Sequence, residues 1–233
     1  MRALLAAIRC GKGEVERNLA VHLGLLTEAR AEGCELALFP EMSLTGSVDP
    51  ATHPERLIGL DHPAVAALAG AAGETGVGAC FGVAERSPDG TPYITQVFAA
   101  AGRVKAGGVQ RKRHLGEDEG AFTAATEPVV FDHAGVRFGV AICAEAGFDG
   151  PFDAAAAGDA RLVLFPAAPG LYGRRTDEAS WQQGFTGGRA RLWATRAATR
   201  AAGACGSPWR ARQAPRSMRT SPAWRRWSGR TAT

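Results

Sequence analysis

No stretch of 18 consecutive apolar residues occurs in this 233-residue chain, so no transmembrane helix is implied. No C-x-x-C pair occurs among the five cysteines, at positions 10, 34, 80, 143 and 205. That odd number argues against a disulfide framework and against a zinc site. It fits a reducing compartment, and a cytoplasmic location is expected. No G-x-G-x-x-G or Walker A loop follows the early strands, which removes the usual cradle for a nucleotide. No His/Asp/Glu cluster points to a metal, and no cofactor is expected. The first residues, M-R-A-L-L-A-A-I-R-C-G-K-G-E, are too short and too soon charged for a signal peptide. No fixed period marks a repeat array.

One absence divides the chain. After Glu178 there is no acidic residue and no lysine, only 11 arginines, a net +11 over residues 179–233. Residues 1–178 carry 16 Lys and Arg against 23 Asp and Glu, a net −7. The overall +4 is the sum of two unlike parts.

Apolar residues make up 45% of the chain, enough for a real core. The length suits one larger domain or two small ones. Residues 2–9 read as a short apolar strand. Residues 14–31 place Val15, Leu19, Val21, Leu23, Leu26 and Ala29 loosely on one helical face, and Gly33 stops that helix. Residues 35–39, E-L-A-L-F, form a buried strand closed by Pro40, which makes a βαβ start. An alanine-rich helix is predicted over 62–75, ended by Gly76, and a strand over 78–85. Pro88-Asp89-Gly90-Thr91 is turn chemistry. Residues 93–100 and 103–109 read as one hairpin, and 128–132 and 136–142 as another. A short helix over 152–157, a buried strand over 161–165 and a helix start at 177–181 follow.

Three of these strands end in side chains capable of chemistry. Glu41 follows L-A-L-F-P, Lys112 leaves a hairpin strand, and Cys143 follows F-G-V-A-I. Open α/β sheets place their chemistry in loops at the carboxyl ends of strands. A glutamate could take a thiol proton, a lysine could stabilise an oxyanion, and a cysteine could carry an acyl group. Singly, each has a plainer reading. Free cysteine is among the most buried residue types, Glu41 could be a solvated turn residue, and Lys112 could belong to a basic surface loop, R-K-R.

Together, L-A-L-F-P-E-M-S-L-T-G, R-K-R-H-L-G-E-D-E and G-V-A-I-C-A-E-A-G-F resemble the nitrilase superfamily of carbon–nitrogen hydrolases, in its order and near its spacings. The resemblance covers about residues 1–184. It implies a four-layer αββα sandwich and hydrolysis of a non-peptide amide, carbamoyl or nitrile carbon–nitrogen bond by a Glu-Lys-Cys triad through a cysteine thioester. Glu41 then matches the general base, Lys112 the oxyanion-stabilising lysine and Cys143 the nucleophile. The Ala144 N–H would be a second oxyanion donor. Glu119 is the best match to a further glutamate of the family, with Glu117 and Asp118 competing. The implied partner is a small-molecule amide, with no membrane, and the family often forms homo-oligomers. His114 is expected to order the lysine's loop. Two departures stand out: Ala144 and Glu145 replace an aromatic residue and Asp, and Ala124-Ala125 replaces Pro-Gly.

The domain is expected to span 1–187 and to be incomplete at its C-terminal end. Residues 188–233 form an Arg/Ala-rich segment with no apolar period and four of the five tryptophans. One alternative makes the chain a non-enzymatic α/β protein whose basic tail neutralises nucleic-acid phosphates and stacks bases on Trp224 and Trp227. The other is a shifted reading frame. Permitted codons from Ser207 onward, read one base out, give A-V-A-S-Q-A-G-S-T-V-D-E-D-F-P-G-L-A-A-L-V-G-P-D-G-D, with helix and turn signals that the printed frame lacks. On this reading the segment is non-native, and the chain as given can be inactive while keeping its triad. Sequencing the gene across codons 184–193 is expected to reveal the shift. A salt-resistant, sequence-selective nucleic-acid complex that requires Trp224 or Trp227 would instead favour the binding tail.

Overall fold

In the computed structural model, which describes residues 1–168 and residue 179, the apolar runs become strands, and the longest of them are buried on both faces. The first sheet has the spatial order β1 (Ala3–Leu5), β2 (Leu36–Leu38), β3 (Gly78–Arg86), β4 (Pro92–Ala100) and β5 (Arg103–Arg111). Its first three strands are parallel. They are joined through α1 (Val15–Ala31) and α2 (Pro63–Thr75). The last three form an antiparallel meander. The second sheet comprises β6 (Val130–His133), β7 (Val136–Val140) and β8 (Leu162–Leu164). Its β6/β7 pair is antiparallel, and α3 (Gly150–Ala157) carries the chain to the parallel β8.

Strand β3 shows why the layers form. Ala79, Phe81 and Val83 join Leu26, Val65 and Leu68 in a core between the sheet and its helices. Cys80 and Ala84 join Phe98, Phe131, Phe138 and Leu164 in a second core between the two sheets. A two-residue period with both faces apolar reads as one unbroken run. Phe98 packs edge-on against Phe131 and Phe138, at 5.7 and 5.3 Å between centroids. On the outer face of the second sheet, α3 lies so close to β7 that a Cβ at Gly139 would stand 2.7 Å from the Ala155 methyl. The order of layers is therefore helix, sheet, sheet, helix, the expected αββα sandwich.

Helix α1 corrects part of the sequence reading. Its buried face is Val15, Asn18, His22, Leu26 and Ala29, whereas Val21 is exposed. Two polar residues sit on the apolar face because tertiary partners receive them. Asn18 Nδ2 donates to the carbonyls of Gly11 and Leu44, at 2.8 and 3.0 Å. His22 Nδ1 faces the Asn18 carbonyl at 2.7 Å and Nε2 faces the Ser43 hydroxyl at 2.9 Å. A carbonyl only accepts, so Nδ1 carries the proton and Nε2 accepts from Ser43. Strand β1 is also shorter than the run at 2–9. The helix expected at 177–181 lies outside the described residues, apart from residue 179. So do the expected boundary at 187/188 and the segment 188–233. Among the described residues, no helix is long and apolar enough to cross a membrane.

Burial holds the His22 imidazole neutral by lowering its pKa to about 4, against a smaller opposing effect of the Asn18 carbonyl. The unfolded chain takes up that proton near 6.5. As pH falls from about 6.5 to about 4, the unfolded state therefore gains a proton that the folded state refuses, and stability drops. The loss amounts to about 3 kcal/mol. Denaturant melts across this window should show His22→Gln losing about one proton's worth of pH dependence relative to the parent.

Candidate active site

Glu41, Lys112 and Cys143 arrive at one place from three strand ends. Glu41 follows β2 and is buried. Its loop turns sharply, with Met42 at φ 48°. Lys112 follows β5 directly and is fully buried. Cys143 follows β7 by three residues and opens a 3-10 turn over Cys143–Gly147. Its φ of 47° is left-handed, a conformation that costs a non-glycine residue about 1–3 kcal/mol and that packing has to hold.

The Lys112 ammonium is the centre. Its Nζ donates to Glu41 Oε1 and to Glu119 Oε1, each at 2.6 Å. Of the three acids in its loop, Glu119 is the one that reaches it. Glu119 Oε2 also accepts from the Gly116 N–H at 2.6 Å, which folds the loop back on itself. Burial works to lower the Lys112 pKa, but the two carboxylates outweigh it and hold the ammonium above the ordinary lysine range. Burial raises Glu41, and the attraction of Lys112 offsets this only in part. The Cys143 thiol is pushed up to about 12, first by burial and then by the Glu41 charge, against the pull of Lys112. At neutral pH the sulfur therefore keeps its proton, with a carboxylate beside it of raised basicity.

The backbone at Cys143 is divided in its use. The Cys143 N–H donates to the Pro166 carbonyl at 2.9 Å, whereas the Ala144 N–H has no acceptor among the described residues. The His114 ring stacks on Phe148 at 4.3 Å. An open cleft bounded by Tyr93, Arg111, Ala125 and Glu127 contains none of these groups.

Several residues that support the site were not singled out in the sequence. Gln96 Nε2 donates to the Phe39 carbonyl at 3.1 Å, fixing the strand end before Glu41. Ser43 Oγ accepts from the Gly82 N–H at 3.2 Å, and the Leu44 N–H donates to the Gly82 carbonyl at 2.9 Å. Gly82 itself lies against the Glu41–Met42 peptide. A glycine inside a strand often marks such a close approach, and that was the available signal.

The carbon–nitrogen hydrolase family model matches residues 4–205. That stretch runs past position 187, where the sequence reading places the end of the domain. A formamidase of Pseudomonas syringae pv. tomato is 38% identical over 78 residues, 33% of this chain and 23% of that protein. A formamidase of Bradyrhizobium sp. is 45% identical over 60 residues, 25% of this chain and 17% of that one. The matched part thus spans less than a quarter of either formamidase. Among solved structures, a mutant of the amidase from Nesterenkonia sp. AN1 superposes with a TM-score of 0.64 at 26% identity. The match covers 76% of this chain and 67% of the amidase, which carries the acetamide moiety of fluoroacetamide on its active-site cysteine.

The close approach at Gly82 yields a test of how the Glu41 loop is held. A Cβ there would collide with the Met42 nitrogen and stand 2.8 Å from the Pro40 carbonyl oxygen. Gly82→Ala should cost about 1–3 kcal/mol in denaturant melts, the usual cost of overpacking. A structure of the variant should show the Glu41 carboxylate drawn away from Lys112.

Proposed function

The chain belongs to the carbon–nitrogen hydrolase family, and we propose that it hydrolyses a small non-peptide amide through a thioester on Cys143. The observation that carries this reading is the buried Lys112 ammonium, bound at 2.6 Å by both Glu41 and Glu119 beside a cysteine whose proton a base must remove.

In the proposed reaction the Cys143 sulfur attacks the amide carbon as its proton passes to Glu41. The carbonyl electron pair moves onto oxygen, where the Lys112 ammonium and the Ala144 N–H stabilise it. The tetrahedral species then collapses. The carbon–nitrogen bond breaks, and protonated Glu41 gives its proton to the leaving nitrogen. Ammonia departs from a primary amide and leaves the thioester. A water molecule attacks that thioester while Glu41 again takes a proton. The carbon–sulfur bond breaks, and the proton returns to sulfur as the carboxylic acid leaves. Glu119 keeps Lys112 charged and aimed throughout.

Small amides are favoured as substrates by the relatives. The cysteine of the Nesterenkonia amidase accepts an acetamide group, and another structure of that amidase holds butyramide. We place the activity in the chain whose C-terminal segment is read in the restored frame.

With that chain, Cys143→Ala should lower amide turnover by a factor on the order of 10⁴ or more while the fold persists. Lys112→Arg should not restore activity, because a planar guanidinium cannot replace a compact ammonium between two carboxylates. The acid limb of the pH profile should lie above the ordinary carboxylate range, since burial raises Glu41 and protonation disables it as a base. Mass spectrometry after treatment with fluoroacetamide should find the adduct on Cys143. An adduct spread over Cys10 and Cys34, or full activity in Cys143→Ala, would refute the reading.

A further inference from the structure

Glu145 is a fully buried carboxylate with no cation in hydrogen-bond contact among the described residues. Among the described residues the nearest basic nitrogen is His114 Nδ1, 3.7 Å from Oε1. Backbone donors satisfy the carboxylate instead. Oε1 accepts from the Arg113 N–H at 2.7 Å and from the His114 N–H at 3.3 Å. Oε2 accepts from the Ile142 N–H at 2.7 Å. Arg113 and His114 follow Lys112 directly, and Ile142 directly precedes Cys143. One side chain therefore ties the loop that carries the lysine to the turn that carries the cysteine.

The two ends need such a tie. Lys112 comes from the first sheet and Cys143 from the second. The contact between the sheets at their centre is apolar, through Phe98, Phe131 and Phe138. Apolar contact is non-directional, so it brings the sheets together without fixing one strand end against another. Hydrogen bonds from N–H groups to a carboxylate are directional and about twice as strong as neutral ones. A displacement of about 1 Å at a reacting group can cost about 10²-fold in rate.

We propose that Glu145 is a positioning residue, whose carboxylate fixes the Cys143 turn and the Lys112 loop at the separation that thiol activation requires. This rests on the reading of Cys143 as the nucleophile, with Glu41 and Lys112 around it. Glu145 acts through backbone and touches no reacting atom. The departure from the family at positions 144 and 145 keeps a carboxylate at the second position, with one more methylene of reach.

The test uses the full chain as it exists and chloroacetamide as the probe, with alkylation followed cysteine by cysteine by mass spectrometry from pH 5 to 9. Cys143 in the parent should react faster than the partly exposed Cys10 and Cys34, with a rate that stays high at neutral pH. If it does so neither in this chain nor in the chain with the restored frame, the nucleophile reading fails before the positioning role is reached. In Glu145→Gln an amide nitrogen must face an N–H donor. In Glu145→Asp the charge stays, but the reach is one methylene short. Both variants should slow Cys143 at least tenfold. The remaining rate should climb about tenfold per pH unit, as for an unassisted thiol, while Cys10 and Cys34 keep their parental rates. If Glu145→Asp labels Cys143 at the parental rate and pH dependence, the bridge is not what matters and the proposal falls. The same result in folded Glu145→Gln also overturns it. Buried Cys80 reports the fold. If Glu145→Gln exposes Cys80, Glu145→Asp decides. If both expose it, Glu145 serves folding and not positioning.

Discussion

A lysine ammonium removed from water has to be compensated, and the rest of this molecule is arranged around that demand. Lys112 is fully buried, where an isolated ion costs several kcal/mol even after relaxation. Two carboxylates at 2.6 Å supply the compensation. They come from different parts of the chain: Glu41 from the end of β2 and Glu119 from the loop beyond β5. Neither can leave without stranding a charge, so the pairing specifies where three segments must meet. Buried ion groups of this kind contribute little net stability, and the apolar cores on both sides of the first sheet supply that stability. The ion cluster supplies a unique arrangement of the strand ends.

That arrangement depends on backbone segments approaching closely, and small residues allow it. Gly82 lets the Glu41 loop lie against β3, and Gly139 lets α3 lie against β7. The loop is held from the other side by Ser43, which links Gly82 to His22 of α1. A buried histidine on a helix thus reaches the site through one hydroxyl and one loop. Its neutrality matters, because its Nε2 accepts from Ser43 only while it is unprotonated.

The sequence made legible what periodicity and local chemistry encode. Helix α2, with Gly76 as its left-handed cap, and the β4/β5 hairpin follow from local signals. So do the strand ends at Glu41, Lys112 and Cys143. What it left dark depends on partners far along the chain. Asn18 and His22 look like interruptions of an apolar face until Leu44 and Ser43, 26 and 21 residues away, are brought to them. The choice among Glu117, Asp118 and Glu119 is a matter of loop closure, which spacing alone does not decide. Glu145 registered only as a departure from the resembled pattern. Its partners at Arg113 and His114 lie 32 and 31 residues before it, so its link between the two sheets is invisible to any local reading.

The same burial that makes the cluster costly sets its proton chemistry. Desolvation pushes the Cys143 thiol up to about 12, which alone would leave a poor nucleophile at neutral pH. It also raises Glu41, which makes that carboxylate a better base than a solvated one. Lys112 works against both effects, and its two carboxylates keep it charged. In the proposed mechanism this opposition is useful, because charge moves during the reaction. As the thiol proton reaches Glu41, the negative charge next to Lys112 passes to the substrate oxygen. The ammonium that was paired with a carboxylate in the resting site is then free to stabilise the oxyanion. A cluster whose charges balanced independently of the substrate would have nothing to offer the transition state, since only interactions that strengthen there accelerate a reaction.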